Sequence, residues 1–161
     1  MALFSFTVTV LALAIPETVH AQSLEVRAVL AGIANVKDGD GVLFGDVEVR
    51  LQGIAAPEDR TDAHEPGGSE ATESLKNLIN GKFITCHLDG TVAGSSNRPV
   101  GICYFNGLDI GLYQIRAGFA RDCPRYSLGR YLSAETEAKA EGLDLSASYS
   151  LPEYCVSKND N

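Results

Sequence analysis

Apolar and polar positions alternate along much of the first hundred residues, which is the period of strands with one buried face. "LEVRAVLAGIANV" (24–36) reads as a strand, "DGDG" (38–41) as a turn, and "VLFGDVEVRLQGI" (42–54) as two short runs split by Gly45-Asp46, a hairpin signature. A polar loop, "DRTDAHEPGG" (59–68), separates these from "SEATESLKNLINGK" (69–82), where Ala71, Leu75, Leu78 and Ile79 share one helical face and Asn80-Gly81 supplies the stop. "KFITCHLDG" (82–90) and "RPVGICYFNG" (98–107) read as a second strand pair. "DIGLYQIRAG" (109–118), with Ile110, Tyr113 and Ala117 on one face, and "YLSAETEAKAEG" (131–142) read as two further helices. Three strands, a helix, two strands and two helices predict a mainly β domain: an OB-fold, a five-stranded barrel with three helices, which hides most strand edges.

The chain ends differ from this body. "MALFSFTVTVLALAIPETVHAQ" has an apolar run from Leu3 to Ile15, a break at Pro16 and small residues at Val19 and Ala21, so residues 1–21 are expected to be a secretory leader cleaved after Ala21. That run is too short to span a bilayer. Residues 22–161 are then one domain with a C-terminal tail, exported to the periplasm or the medium. Cys86, Cys103, Cys123 and Cys155 form an even set, which in an exported chain favours two disulfides over zinc. Of the three pairings, Cys86–Cys103 across a hairpin and Cys123–Cys155 pinning the tail fit the expected elements best.

The formal charge is −8, and a leader whose only charged side chain is Glu17 leaves a mature chain of about −7. Such a protein is not built for broad, salt-driven binding to nucleic acid, so an anionic partner needs a local basic site. One candidate is "ARDCPRYSLGRY" (120–131), where Arg121, Arg125 and Arg130 interleave with Tyr126 and Tyr131. That mixture suits single-stranded nucleic acid, or an anionic polysaccharide, by charge and stacking. It equally describes a loop whose arginines pair with nearby carboxylates.

Taken in order, "VKDGDG", "VRLQGIAAPE" and "NRPVGICYFNGLDI" resemble the staphylococcal nuclease (thermonuclease-like) family from about Val26 to Leu143. The resemblance implies an OB-fold and, in active members, calcium-dependent hydrolysis of DNA and RNA. By position it implies that Asp40 binds calcium with Asp38 behind it, that Arg50 and Arg98 contact the scissile phosphate, that Glu58 handles the attacking water, and that Tyr126 touches a nucleotide. The chemistry is coherent in itself, because guanidinium forks stabilise charge on phosphoryl oxygens, while a cation and a carboxylate activate water.

Three positions depart from the family pattern. The second calcium carboxylate is Ala55, the threonine after the acidic turn is Gly41, and Ser96-Asn97 replace the residues before the second arginine. Calcium takes six to eight oxygens, so a methyl at position 55 weakens the site unless Asp59 or Asp62 bends back. Two readings follow: an exported phosphodiesterase of weak or no activity, or a non-catalytic binding protein of the cell envelope. The resemblance links the second to bacterial exopolysaccharide (succinoglycan) production.

Overall fold

The computed structural model describes residues 25–156; the expected leader, 1–21, and its cleavage point lie outside the described residues. Strand β1 (Ala28–Asp38) is flanked by two antiparallel neighbours, β2 (Gly41–Phe44) and a long strand, Lys82–Ala93. Its inner positions Ala34 and Val36 are buried, and its outer positions Val29 and Ile33 face water. After Gly45-Asp46, β3 (Val47–Leu51) returns antiparallel to β2. Three two-residue strands follow: β4 (Ile54–Ala55), β5 (Asp59–Arg60) and β6 (Ala63–His64). The last two pair, so the segment expected to be plain loop carries a small hairpin of its own.

Helix α1 (Gly68–Ile79) buries Ala71, Leu75 and Ile79 against the barrel, about 1.5–3 kcal/mol for each large side chain. Its end is tied down as well as capped, since Asn80 Oδ1 accepts a hydrogen bond from the Val36 amide at 3.2 Å. The chain continues through β7 (Lys82–Ala93) and β8 (Arg98–Phe105), which face each other with Cys86 opposite Cys103. The two form the expected disulfide. Strand β8 then runs parallel to β3, with Arg50 opposite Val100, and so closes the five-stranded barrel β3-β2-β1-β7-β8. This is the predicted OB-fold barrel.

A short β9 (Leu108–Asp109) leads into α2 (Ile110–Arg116), whose first turn Asp109 caps by accepting from the Leu112 amide at 3.1 Å. The buried face of α2 is Ile110, Gly111, Gln114 and Ile115, not the expected Ile110, Tyr113 and Ala117. Gln114 is polar and reads as surface, yet it is fully buried because its amide bonds backbone carbonyls. Strand β10 (Arg121–Asp122) pairs with β4, and an additional one-turn helix, α3 (Pro124–Ser127), precedes α4 (Leu132–Ala140). The tail makes two 3₁₀ turns, Leu145–Ala147 and Glu153–Cys155, and the second disulfide joins Cys155 to Cys123. Among the described residues four α-helices therefore stand where three were expected, the extra one being too short to show a hydrophobic period.

Candidate active site

Antiparallel pairing sets Arg50 opposite Gly41, beside the tight turn that ends β1. Asp38, Asp40 and Arg50 are all buried there. Arg50 Nη1 lies 2.7 Å from Asp40 Oδ2 and donates to the carbonyls of Asp40 (3.2 Å) and Leu51 (3.4 Å), while Nη2 donates to the Ile54 carbonyl at 2.9 Å. Asp40 Oδ2 also accepts from the Ala56 amide at 2.9 Å, and Asp38 Oδ1 from the Asp40 amide at 3.2 Å. A fork of this kind suits a cation that must stay charged while buried. Burial pushes the Asp40 carboxyl up to about 7, against the pull of Arg50.

Two glycines shape this corner. A side chain at Gly41 would bring its Cβ to 2.8 Å from Asp38 Oδ1, so a threonine there would displace the carboxylate that accepts from the Asp40 amide. Gly53, at φ 76°, lets Ser127 of α3 approach so closely that a Cβ would meet the Ser127 Cα at 2.9 Å. Gln114 supports the turn from below: its side-chain N–H₂ donates to the carbonyls of Gly39 and Ala71, both at 3.0 Å. Sequence reasoning missed this residue. Its signal was a polar side chain four positions after Ile110 on a face otherwise apolar.

Glu58 is half-buried at the edge of the cluster, and its own amide donates to Glu65 Oε2 at 2.9 Å. Burial and the charge of Asp38 raise its pKa, while Arg50 lowers it. Asp38, Asp40, Arg50 and Glu58 thus form one electrostatic unit. At the start of β8, Arg98 Nη1 pairs with Glu48 Oε1 at 2.7 Å. The Arg125–Tyr126 pair lies on α3, with the Arg125 guanidinium 5.6 Å from the Tyr126 ring centre, and both side chains are exposed. Arg121, by contrast, is spent on structure: Nε pairs with Glu135 at 3.0 Å and Nη1 donates to the Tyr149 carbonyl at 3.1 Å.

Position 55 is not a vacancy in a polar site. Ala55 is fully buried in an apolar cluster with Cys123, Tyr149 and Cys155, packed by Leu145 and Leu151. Neither aspartate from the neighbouring loop bends back. Asp59 accepts from Ser69 at 2.8 Å, and Asp62 pairs with Arg60 at 2.7 Å, along an open cleft of about 440 Å³ with Lys37 and Asp38. Of the family's two metal carboxylates only Asp40 remains, and its Oδ2 is already shared by a guanidinium and an amide. Among the described residues no group of three or more His, Cys, Asp or Glu side chains is placed to hold a metal ion. As arranged, these donors do not fit calcium, which needs several free oxygens around one point.

The tail reaches the same corner. Tyr149 is buried and its hydroxyl donates to the Ala56 carbonyl at 3.1 Å. Burial and the charges of Asp40 and Glu58 raise the pKa of the Tyr154 phenol, while Arg50 lowers it.

The chain is similar to an uncharacterized 38.1 kDa protein of Capnoides sempervirens, 32% identical over 138 residues, which make up 84% of this chain and 39% of that protein. It spans about two-fifths of that relative's length. Residues 48–147, from the strand that carries Arg50 through the first turn of the tail, match the staphylococcal nuclease homologue family. The match covers more than half of the chain, and the chain belongs to the staphylococcal nuclease homologue family.

Proposed function

We propose that this chain is an exported member of the family that binds single-stranded nucleic acid and hydrolyses it weakly or not at all. The observation that carries the reading is the Asp40–Arg50 contact of 2.7 Å beside a buried Ala55. The guanidinium occupies the carboxylate that a metal would need, and the second metal carboxylate is absent. The leader-like residues 1–21 and the two disulfides support export.

Binding falls to the exposed face of α3. Arg125 and Arg130 are exposed and in no ion pair among the described residues, and Tyr126 is 46% exposed. The two cations take phosphates, and the tyrosine ring stacks on a base. Residual hydrolysis would use Glu58 to position water, since its raised pKa makes it a better proton acceptor than an ordinary carboxylate. Arg50 would supply charge to the phosphoryl oxygens only by leaving part of its buried bonding. The half-exposed tyrosine also suits the ring of an acidic sugar polymer, which is the second reading.

The test is the mature protein with a fluorescent single-stranded DNA, in calcium and in chelator. Binding that is insensitive to chelator and weakened by Arg125→Ala or Tyr126→Ala is expected, with cleavage low and lost in Glu58→Ala. Strong calcium-dependent cleavage would refute the reading. Binding of an anionic polysaccharide in place of DNA would select the second.

A further inference from the structure

Three large side chains stand in water within seven residues: Tyr126, Leu128 (66% exposed) and Leu132 (59%). One exposed leucine is ordinary, whereas a cluster of apolar side chains on a fixed base is a contact surface. The base is fixed here by the residues between them. Ser127 is buried close against Gly53, Gln52 Nε2 donates to the Tyr126 carbonyl, and buried Tyr131 donates its hydroxyl to Asp109 at 3.0 Å. Leu128 closes α3 at φ 53°, ψ 37°, in the left-handed region, with its amide bonded to the Pro124 carbonyl. Glycine takes that conformation at lower cost. The chain instead puts leucine there and leaves it the most exposed large apolar side chain among the described residues.

Charge singles out the same stretch. Residues 123–134 hold Arg125 and Arg130 and no aspartate or glutamate, so in a chain of −8 formal charge every carboxylate side chain lies elsewhere. Both arginines are exposed and in no ion pair among the described residues. Phosphates and base faces account for the arginines and the tyrosine, but they do not call for two aliphatic side chains beside them. A lipid surface uses all three kinds: aliphatic side chains among the acyl chains, a tyrosine at the interface, and guanidinium groups on anionic headgroups.

We propose that residues 125–132 dock the protein on an anionic lipid surface. Leu128 and Leu132 enter below the headgroups, Tyr126 lies at the interface, and Arg125 and Arg130 meet the headgroup charge. The contact is peripheral and reversible, since two leucines and two cations are far less than a spanning helix. It does not rest on the nucleic-acid reading, which uses the arginines and the tyrosine but not the leucines.

The experiment reads the two separately. The mature protein is sedimented with vesicles of equal parts phosphatidylglycerol and phosphatidylcholine, and with vesicles of phosphatidylcholine alone. Binding to the anionic vesicles is expected, with little to the neutral ones. Leu128→Ser with Leu132→Ser lowers the bound fraction by about fivefold or more, as does Arg125→Ala with Arg130→Ala. Leu128→Gly suits the positive φ, so its loss of binding cannot come from a strained turn, and circular dichroism confirms that each variant is folded. The chain has no tryptophan, so Leu128→Trp supplies a single reporter, whose emission should shift to the blue on anionic vesicles and be quenched by brominated acyl chains. No sedimentation with anionic vesicles overturns the proposal, as does unchanged binding in both leucine variants or an unquenched reporter. Oligodeoxythymidine binding is measured on the same proteins. Leucine variants that lose vesicles and keep DNA support both readings. Variants that lose DNA and keep vesicles assign the leucines to nucleic acid and overturn lipid docking. Vesicle binding by a starting protein that binds no DNA keeps the docking and removes the nucleic-acid reading.

Discussion

Arg50 illustrates how one side chain can keep its family position and change its occupation. Its guanidinium is the counter-ion of Asp40 and the donor to three backbone carbonyls, so its loss strands a buried carboxylate and three acceptors. Arg50→Ala is therefore expected to cost about 3–5 kcal/mol in urea unfolding. Arg50→Lys should recover little of it, because an ammonium cannot reproduce the fork. Asp40 adds a pH signature. Its folded pKa, about 7, is above its unfolded value near 3.8, so the stability it contributes is fully present below pH about 4 and is lost as pH rises through 7. Asp40→Asn should flatten that slope by roughly 2–4 kcal/mol between pH 4 and 8, read from denaturation midpoints across the range. At position 55 the direct repair fails: Ala55→Asp pushes a carboxylate into the cluster of Cys123, Tyr149 and Cys155. We expect a loss of about 2 kcal/mol or more, and no rise of Tm on adding calcium, measured by differential scanning calorimetry.

At the level of elements, the strands and the larger helices were legible because each has an apolar face with a regular period. The alternation of Ala34 and Val36 in β1, and the 3–4 spacing of Ala71, Leu75 and Ile79 in α1, state their own burial. Cys86 and Cys103 were legible for the same reason, since strand pairing sets them opposite each other. What stayed hidden depends on contacts distant in sequence. Gln114 looks like surface until the Gly39 and Ala71 carbonyls are brought to it. Ala55 looks like a damaged metal site until the tail, ninety residues on, packs over it. Arg98 kept its family position but meets Glu48, a partner that only the parallel β3–β8 register supplies. The two disulfides should also differ in effect. By chain entropy each is worth about 3–4 kcal/mol, but opening Cys123–Cys155 frees the tail locally, whereas opening Cys86–Cys103 loosens the β7–β8 pair. Amide exchange in the serine pair at 123 and 155 should quicken across residues 148–156 and leave β7 unchanged.

Across the whole molecule, a chain of −8 formal charge offers an anionic polymer few footholds. With Arg121 paired to Glu135 and Arg98 to Glu48, Arg125 on α3 and Arg130 in the turn after it are exposed cations in no ion pair among the described residues. Binding of single-stranded DNA should accordingly depend weakly on salt, with log K against log salt falling at a slope of about −1 to −2, followed by fluorescence anisotropy. A steep slope would mean a basic surface elsewhere. The clamp around Arg50 has one more outcome. Because a single guanidinium ties the β1–β2 turn, the end of β3 and the start of β4, none of these three segments can loosen alone. Their amides should become exchangeable together, at one shared free energy, so that this corner of the barrel behaves mechanically as a single rivet.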